Sequence, residues 1–166
     1  SVDFDFVTKD TFSPDKIFKK LGEKGKIELE QKDGNTLTVV LEGVSCSFLS
    51  YDYPILHEFL LFEDRIKLAG IADIAAMKVA AVAGRGIKRD FVDLYFICQK
   101  DYSLPEVIEY YQKKFAIFSQ DLHHVYKSLV YFEDAEEDSM PHMFQEADWE
   151  HIKSYFTEEV SKLVIT

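Results

Sequence analysis

Two carboxylates, Asp3 and Asp5, stand two residues apart near the start of the chain, interleaved with Val2, Phe4 and Phe6. In an extended strand successive side chains alternate between faces. That spacing predicts three apolar side chains entering a core and two acids sharing the opposite face. Carboxylates held so close repel each other unless a cation or a proton lies between them. Mg²⁺ is commonly held by one or two carboxylates together with substrate phosphates. The pair is therefore a candidate half of a metal–nucleotide site. A D-x-D pair alone has low specificity, and a solvated strand face carrying two acids produces it about as often.

A second constellation runs from Asp73 to Asp93. Lys78 lies five residues after Asp73, among Met77, Ala80 and Ala81, in a segment with helical periodicity. A charged amine in an otherwise apolar helix is costly unless paired, so Lys78 calls for a partner. The alanines allow another element or a ligand to come close. Gly84-Arg85-Gly86 then makes a tight, basic turn, and Asp90 is placed to accept from Arg85, Lys88 or Arg89. An ordinary helical hairpin with charged ends has the same pattern, but it does not account for the lysine.

The elements that must position these residues follow from local signals. Ser13-Pro14-Asp15 starts a helix that runs to Gly22. Residues 26–31 and 36–42 flank Asp33-Gly34-Asn35, a hairpin signal, and Val44 to Ser50 reads as a further strand. Ile66 to Leu68 is one more short strand. Helices are expected over 74–82, with Asp73 capping or beginning the first, then over 88–99, from Ser103 onward, over 121–131 and over 149–163. The acidic stretch from Glu133 to Pro141 is expected as a solvated loop, with a partner contact as its other use. Strands first and helices second argue an α+β fold, with a mixed-sheet core over residues 1–70 and a helical region over 71–166.

Composition narrows the class. The chain has 166 residues, 47% of them hydrophobic and 14% aromatic, which fits a folded domain and not a disordered one. No apolar run approaches the roughly 18 residues of a membrane span, and no basic-then-apolar leader is present. Cys46 and Cys98 stand apart without C-x-x-C spacing, as expected of reduced, buried thiols. A cytoplasmic location with no membrane partner follows as the expectation. The net charge of -11 excludes a broad non-specific nucleic-acid surface. The acids crowd between Glu133 and Glu150, whereas Lys78, Arg85, Lys88 and Arg89 cluster, so a focused basic cleft stays open. The histidines lack metal-ligand spacing, and no serine lies in a G-x-S-x-G context, which argues against a hydrolase.

The run D-I-A-A-M-K-(x6)-R-G-x-K-R-D-F-x-D-L-Y-F, from Asp73 to Phe96, resembles the AbiEii-type nucleotidyltransferases, toxin components of type IV toxin–antitoxin systems. The opening S-V-D-F-D-F resembles their D-x-D segment, and the tract from Leu129 through Met140-Pro141 to Asp148-Trp149 resembles their C-terminal part. The resemblance implies a nucleotidyltransferase-like core and metal-assisted transfer of a nucleotidyl group from an NTP. It implies Asp3 and Asp5 as ligands of Mg²⁺ (or Mn²⁺) and Lys78 as a catalytic lysine on the substrate phosphates. It also implies Asp73 and Arg85 in substrate binding and Asp90 as a base or orienting acid. A tRNA acceptor and a cognate antitoxin are the partners it suggests. Two features depart from the family pattern: no Gly-Gly or Gly-Ser turn precedes the D-x-D, and Ser47 stands where many nucleotidyltransferases carry a third carboxylate. Because the chain opens on Ser1, an N-terminally truncated fragment is expected. A catalytically impaired relative acting through protein binding is the first rival. A D-x-D glycosyltransferase is the second, and the lysine helix argues against it.

Overall fold

A computed structural model describes residues 3–118, 121–143 and 145–164. The chain forms two compact units that meet in sequence at Tyr53-Pro54. The boundary expected at residue 70 therefore falls inside the second unit, because the segment after Tyr53 packs with the helices.

The first unit is a four-stranded mixed sheet with one helix. Its elements are β1 (Asp3–Thr8), α1 (Pro14–Gly22), β2 (Ile27–Asp33), β3 (Thr36–Leu41) and β4 (Val44–Ser50). The sheet order is β1-β4-β3-β2, with β1 parallel to β4 and the other pairs antiparallel. Pro14 fixes the first turn of α1, and Asp15 there suits the positive end of the helix dipole. Ile17, Phe18 and Leu21 of α1 cover Leu37, Val39 and Cys46 on the inner face of β3 and β4. Leu37 and Val39 are fully buried, and each such burial contributes about 1.5–3 kcal/mol. Val2 lies outside the described residues. Phe4 and Phe6 do face the α1 side, yet about half of each stays exposed, since β1 is an edge strand beyond the reach of α1. Phe6 stacks on Phe48 at 5.0 Å instead of entering a closed core.

β3 turns into β4 through Glu42 and Gly43, whose φ angles are 49° and 82°, the two-residue turn whose twist matches the strands. A Cβ at Gly43 would touch nothing, so only backbone strain opposes a side chain there. Gly43→Ala is expected to destabilise the first unit by about 1 kcal/mol, read from urea unfolding. No measurable change would mean the turn relaxes freely.

The second unit holds a β5–β6 hairpin (Leu60–Phe62 and Ile66–Leu68) and then α2 (Ile71–Gly84), α3 (Lys88–Lys100), α4 (Leu104–Phe115), α5 (Leu122–Leu129), α6 (Glu133–Glu136) and α7 (Trp149–Val164). β5 carried no alternation that would have marked it as a strand. α2 is the central helix and packs on α3, α4 and α5. Its Ala72, Ala75 and Ala76 are fully buried, so the small residues serve helix–helix approach. Phe91, Leu94, Leu104, Leu129, Ile152 and Phe156 complete the core. Among the described residues no helix is long and apolar enough to cross a membrane.

The acidic stretch keeps Glu133, Asp134, Glu136 and Glu137 exposed, as expected from its charge, but it is not a plain loop. It contains α6, and Lys88 reaches it: Nζ donates to the Glu136 carbonyl (3.4 Å) and the Asp138 carbonyl (2.5 Å). The Lys88 amide also donates to the Asp138 carboxylate (3.0 Å), and its ammonium lies 5.0 Å from the Trp149 ring centre. Trp149 Nε1 donates to Glu136 Oε2 at 3.1 Å. Buried Lys88, one of the expected basic cluster, is thus committed to pinning this stretch on the start of α3.

Candidate active site

Asp3 and Asp5 lie on β1 in register with Ser45 and Ser47 of β4, and Thr38 of β3 pairs with Ser47. Strand alternation puts all five side chains on the face opposite α1. Thr38 Oγ1 and Ser47 Oγ are 3.5 Å apart, and both aspartates are exposed. Ser47 stands directly beside Asp5, so the position of the expected third acid carries a hydroxyl. Among the described residues no three His, Cys, Asp or Glu side chains are grouped to hold a metal ion. Two exposed carboxylates with neighbouring hydroxyls fit a hard cation that completes its shell with phosphate and water, and do not fit a closed protein cage.

The remaining candidates lie in the second unit and separate into two groups. In the first, Lys78 from α2 meets two carboxylates of α3. Its Nζ is 3.3 Å from Asp90 Oδ1 and 2.5 Å from Asp93 Oδ2. Arg85, just past the end of α2, forks onto Asp90: Nε to Oδ2 at 2.8 Å, and one terminal nitrogen to Oδ1 at 3.0 Å. The Gly86 φ of 57° turns the chain tightly enough to bring both helix ends to one carboxylate. The Asp90 side chain has no exposed surface, Lys78 is 22% exposed and Asp93 is 43% exposed. Burial pushes the Asp90 carboxyl up, but the hydrogen bonds and charges of Arg85 and Lys78 outweigh it and hold the group below its ordinary value. An ionised, enclosed carboxylate with both oxygens occupied orients cations; it is badly placed to take a proton from a substrate. Of the two roles expected for Asp90, the geometry favours the orienting acid. The partner that Lys78 required is thus present twice over.

Asp73 does not join this group. It sits in the first turn of α2 with its carboxylate buried, accepting from Lys114 Nζ (2.7 Å), Leu56 N (3.1 Å) and His57 N (3.4 Å). Lys114 also donates to the Pro54 carbonyl at 2.9 Å and is as buried as its partner. Sealed under the 54–57 segment, the Asp73 carboxylate ties that segment to α2 and presents no exposed surface. Sequence reasoning named Asp93 only as part of the motif. Its signal was the three-residue step from Asp90, which places both acids toward one helical face. Asp93 also lines a cleft of about 730 Å³ between α3 and the segment after Pro141, with Arg89, Phe96, Lys100, His142 and Met143.

Known proteins carry the same pattern. The family of the nucleotidyl transferase AbiEii toxin of type IV toxin–antitoxin systems matches residues 2–163. The uncharacterized protein aq_aa25 of Aquifex aeolicus (strain VF5) is 35% identical over 166 residues, covering 98% of this chain and 79% of that one. The crystal structure of a "putative nucleotidyltransferase" from H. pylori superposes with a TM-score of 0.53 at 16% identity, covering 98% of this chain and 77% of that chain, which shows a shared α+β fold. The strand pair carrying Asp3 and Asp5, the lysine helix and the arginine–aspartate turn thus fall within one matched span, and the chain belongs to the AbiEii nucleotidyltransferase toxin family of type IV toxin–antitoxin systems.

Proposed function

We propose that the protein transfers a nucleotidyl group from an NTP to an acceptor hydroxyl, with tRNA as the acceptor class and a cognate antitoxin as its protein partner. The acceptor oxygen forms a bond to the α-phosphorus, the bond from that phosphorus to the bridging oxygen breaks, and pyrophosphate leaves with the electron pair. The acceptor proton is released to water. The single observation that carries this reading is the Lys78–Asp90–Arg85 network: a buried anion holds two cations at fixed positions, as binding a polyphosphate requires. Asp3 and Asp5 would hold Mg²⁺ or Mn²⁺, which when bound would neutralise phosphate charge. Ser47 beside Asp5 supports a metal that arrives with the nucleotide, because the protein offers two carboxylates there.

Incubation with Mg²⁺, α-labelled NTPs and total tRNA tests the proposal. Label transfer is expected, with a loss of at least about 10²-fold in the Asp3→Asn, Asp5→Asn double variant and full loss in EDTA. Transfer undiminished by both treatments would remove the metal from the reading. Absence of transfer with every NTP, after any antitoxin is stripped away, would favour the catalytically impaired relative that acts through protein binding.

A further inference from the structure

We propose that the β5–β6 hairpin is the surface through which two copies of this chain pair, sheet face against sheet face, as a reversible dimer. Such pairing stands or falls independently of nucleotidyl transfer.

The hairpin is held at one end and bare along its length. At its base the Leu56 and His57 amides donate to the buried Asp73 carboxylate. From His57 to Leu68 every residue is exposed. Strand alternation and the register Leu60↔Leu68 and Phe62↔Ile66 put these four side chains on one face. Each is between 44% and 55% exposed, and no charged side chain of the two strands shares that face. The other face carries Leu61 and Lys67, and Lys67 lies over the Phe59 ring at 5.5 Å, shielding it. Glu63 and Asp64 at the turn have φ of 49° and 55°, the left-handed region that disfavours side chains. A two-stranded hairpin with such a turn has little stability of its own, so covering its apolar face is what would hold it.

The chemistry of that face selects a second copy. A polyanion finds no cation on it, and a strongly acidic or basic partner finds no countercharge. The face is instead complementary to itself. With two hairpins stacked in opposite directions about a two-fold axis, Phe62 meets Leu60 of the second copy and Ile66 meets Leu68, each contact occurring twice. Stacking in the same direction would set Glu63 and Asp64 against their own copies, and like charges oppose it. In the reversed arrangement the Arg65 end of one hairpin lies at the Glu58 end of the other. The exposed halves of the four side chains amount to about 400 Å² per copy, hence about 800 Å² for the pair, short of the roughly 1,200 Å² of a stable complex. The dimer is therefore weak, half-formed at about 10–100 μM. The net charge of -11 repels the copies at low salt, so added salt strengthens the pairing, where an interface built on ion pairs would weaken.

Sedimentation velocity of the whole chain, from about 1 to 500 μM and at about 0.05 and 0.5 M salt, tests the pairing. A monomer–dimer equilibrium is expected, tighter at high salt. The Phe62→Thr, Leu68→Thr variant keeps strand-forming residues at exposed positions and is expected to dimerise at least about tenfold more weakly. Leu61→Thr removes the most exposed of the hairpin's apolar side chains, at 62%, but from the other face, and is expected to pair as the parent does. Trp149 fluorescence checks that both variants keep the helical core. Trypsin cleavage after Arg65 and Lys67 should slow as the parent's concentration rises. A parent that stays monomeric at every concentration in both salts would overturn the dimer. So would an equal loss in Leu61→Thr, which would mark general stickiness and not a specific face. Slow cleavage at Arg65 in a dilute, monomeric parent would also overturn it, and would put another part of this chain on the hairpin.

Discussion

Lys78→Met is expected to lower nucleotidyl transfer by about 10²–10³-fold while leaving the protein folded. The methionine keeps a flexible stem of similar volume on α2 but removes the positive charge. Placed donors aimed at developing charge are worth that much when one is deleted. Stability should change little, since buried Asp90 keeps both oxygens on Arg85. Asp90→Asn is the companion variant. It preserves shape but loosens both Lys78 and Arg85, so transfer should fall as well, through misplacement of cations that are still present. A pH series distinguishes the two. The folded Asp90 carboxyl is held below its ordinary value, so its stabilisation is fully present above the unfolded value of about 3.9 and is lost as pH falls through the lowered folded value. The parent and Lys78→Met should both lose stability in acid, the latter less steeply. Asp90→Asn should lack that component. If all three unfold along the same acid profile, the buried carboxylate is not the anchor of the network.

The second large effect concerns Asp73. Asp73→Ala is expected to cost the helical unit about 3–5 kcal/mol, because it strands the Lys114 ammonium in the interior and leaves the Leu56 and His57 amides without their acceptor. Lys114→Met should cost less, since Asp73 would keep two backbone donors. This inequality is the sharper test: a single shared salt bridge would make the two variants equal, whereas a carboxylate that also ties down the 54–57 segment makes the aspartate the more costly loss. Trp149 is the sole tryptophan and lies against Phe91 and Phe132 in this unit, so its fluorescence during urea unfolding reports the unit directly. A cost under about 1 kcal/mol for Asp73→Ala would show that the segment is held by other means.

Much of the molecule was legible without coordinates. The Ser13-Pro14 start, the hairpin turns, the β4 strand and the order of the long helices all follow from turn residues and periodicity, which act over a few neighbours. Asp3 and Asp5 had to share a face because a strand alternates, and Lys78 had to find an anion because an apolar helix penalises a bare amine. The span from Asp73 to Phe96 was enough to point to the family. Burial, by contrast, is set by distant elements. Asp73 and Asp90 are both motif acids, yet one is sealed under the 54–57 segment by Lys114 and the other anchors Lys78 and Arg85. Lys113 and Lys114 are adjacent and identical in type, but only the second is buried, through a contact 41 residues away in the chain. Lys88 belonged by sequence to the basic cluster with Lys78, Arg85 and Arg89, yet its buried ammonium is held by backbone carbonyls of the acidic stretch, while the carboxylates of Glu133, Asp134, Glu136 and Glu137 stay exposed. The sequence by itself determined which chemical groups the protein carries and the elements that present them. The tertiary structure alone decided which charges face solvent and ligand and which are spent holding the fold, because desolvation depends on every element packed around a group.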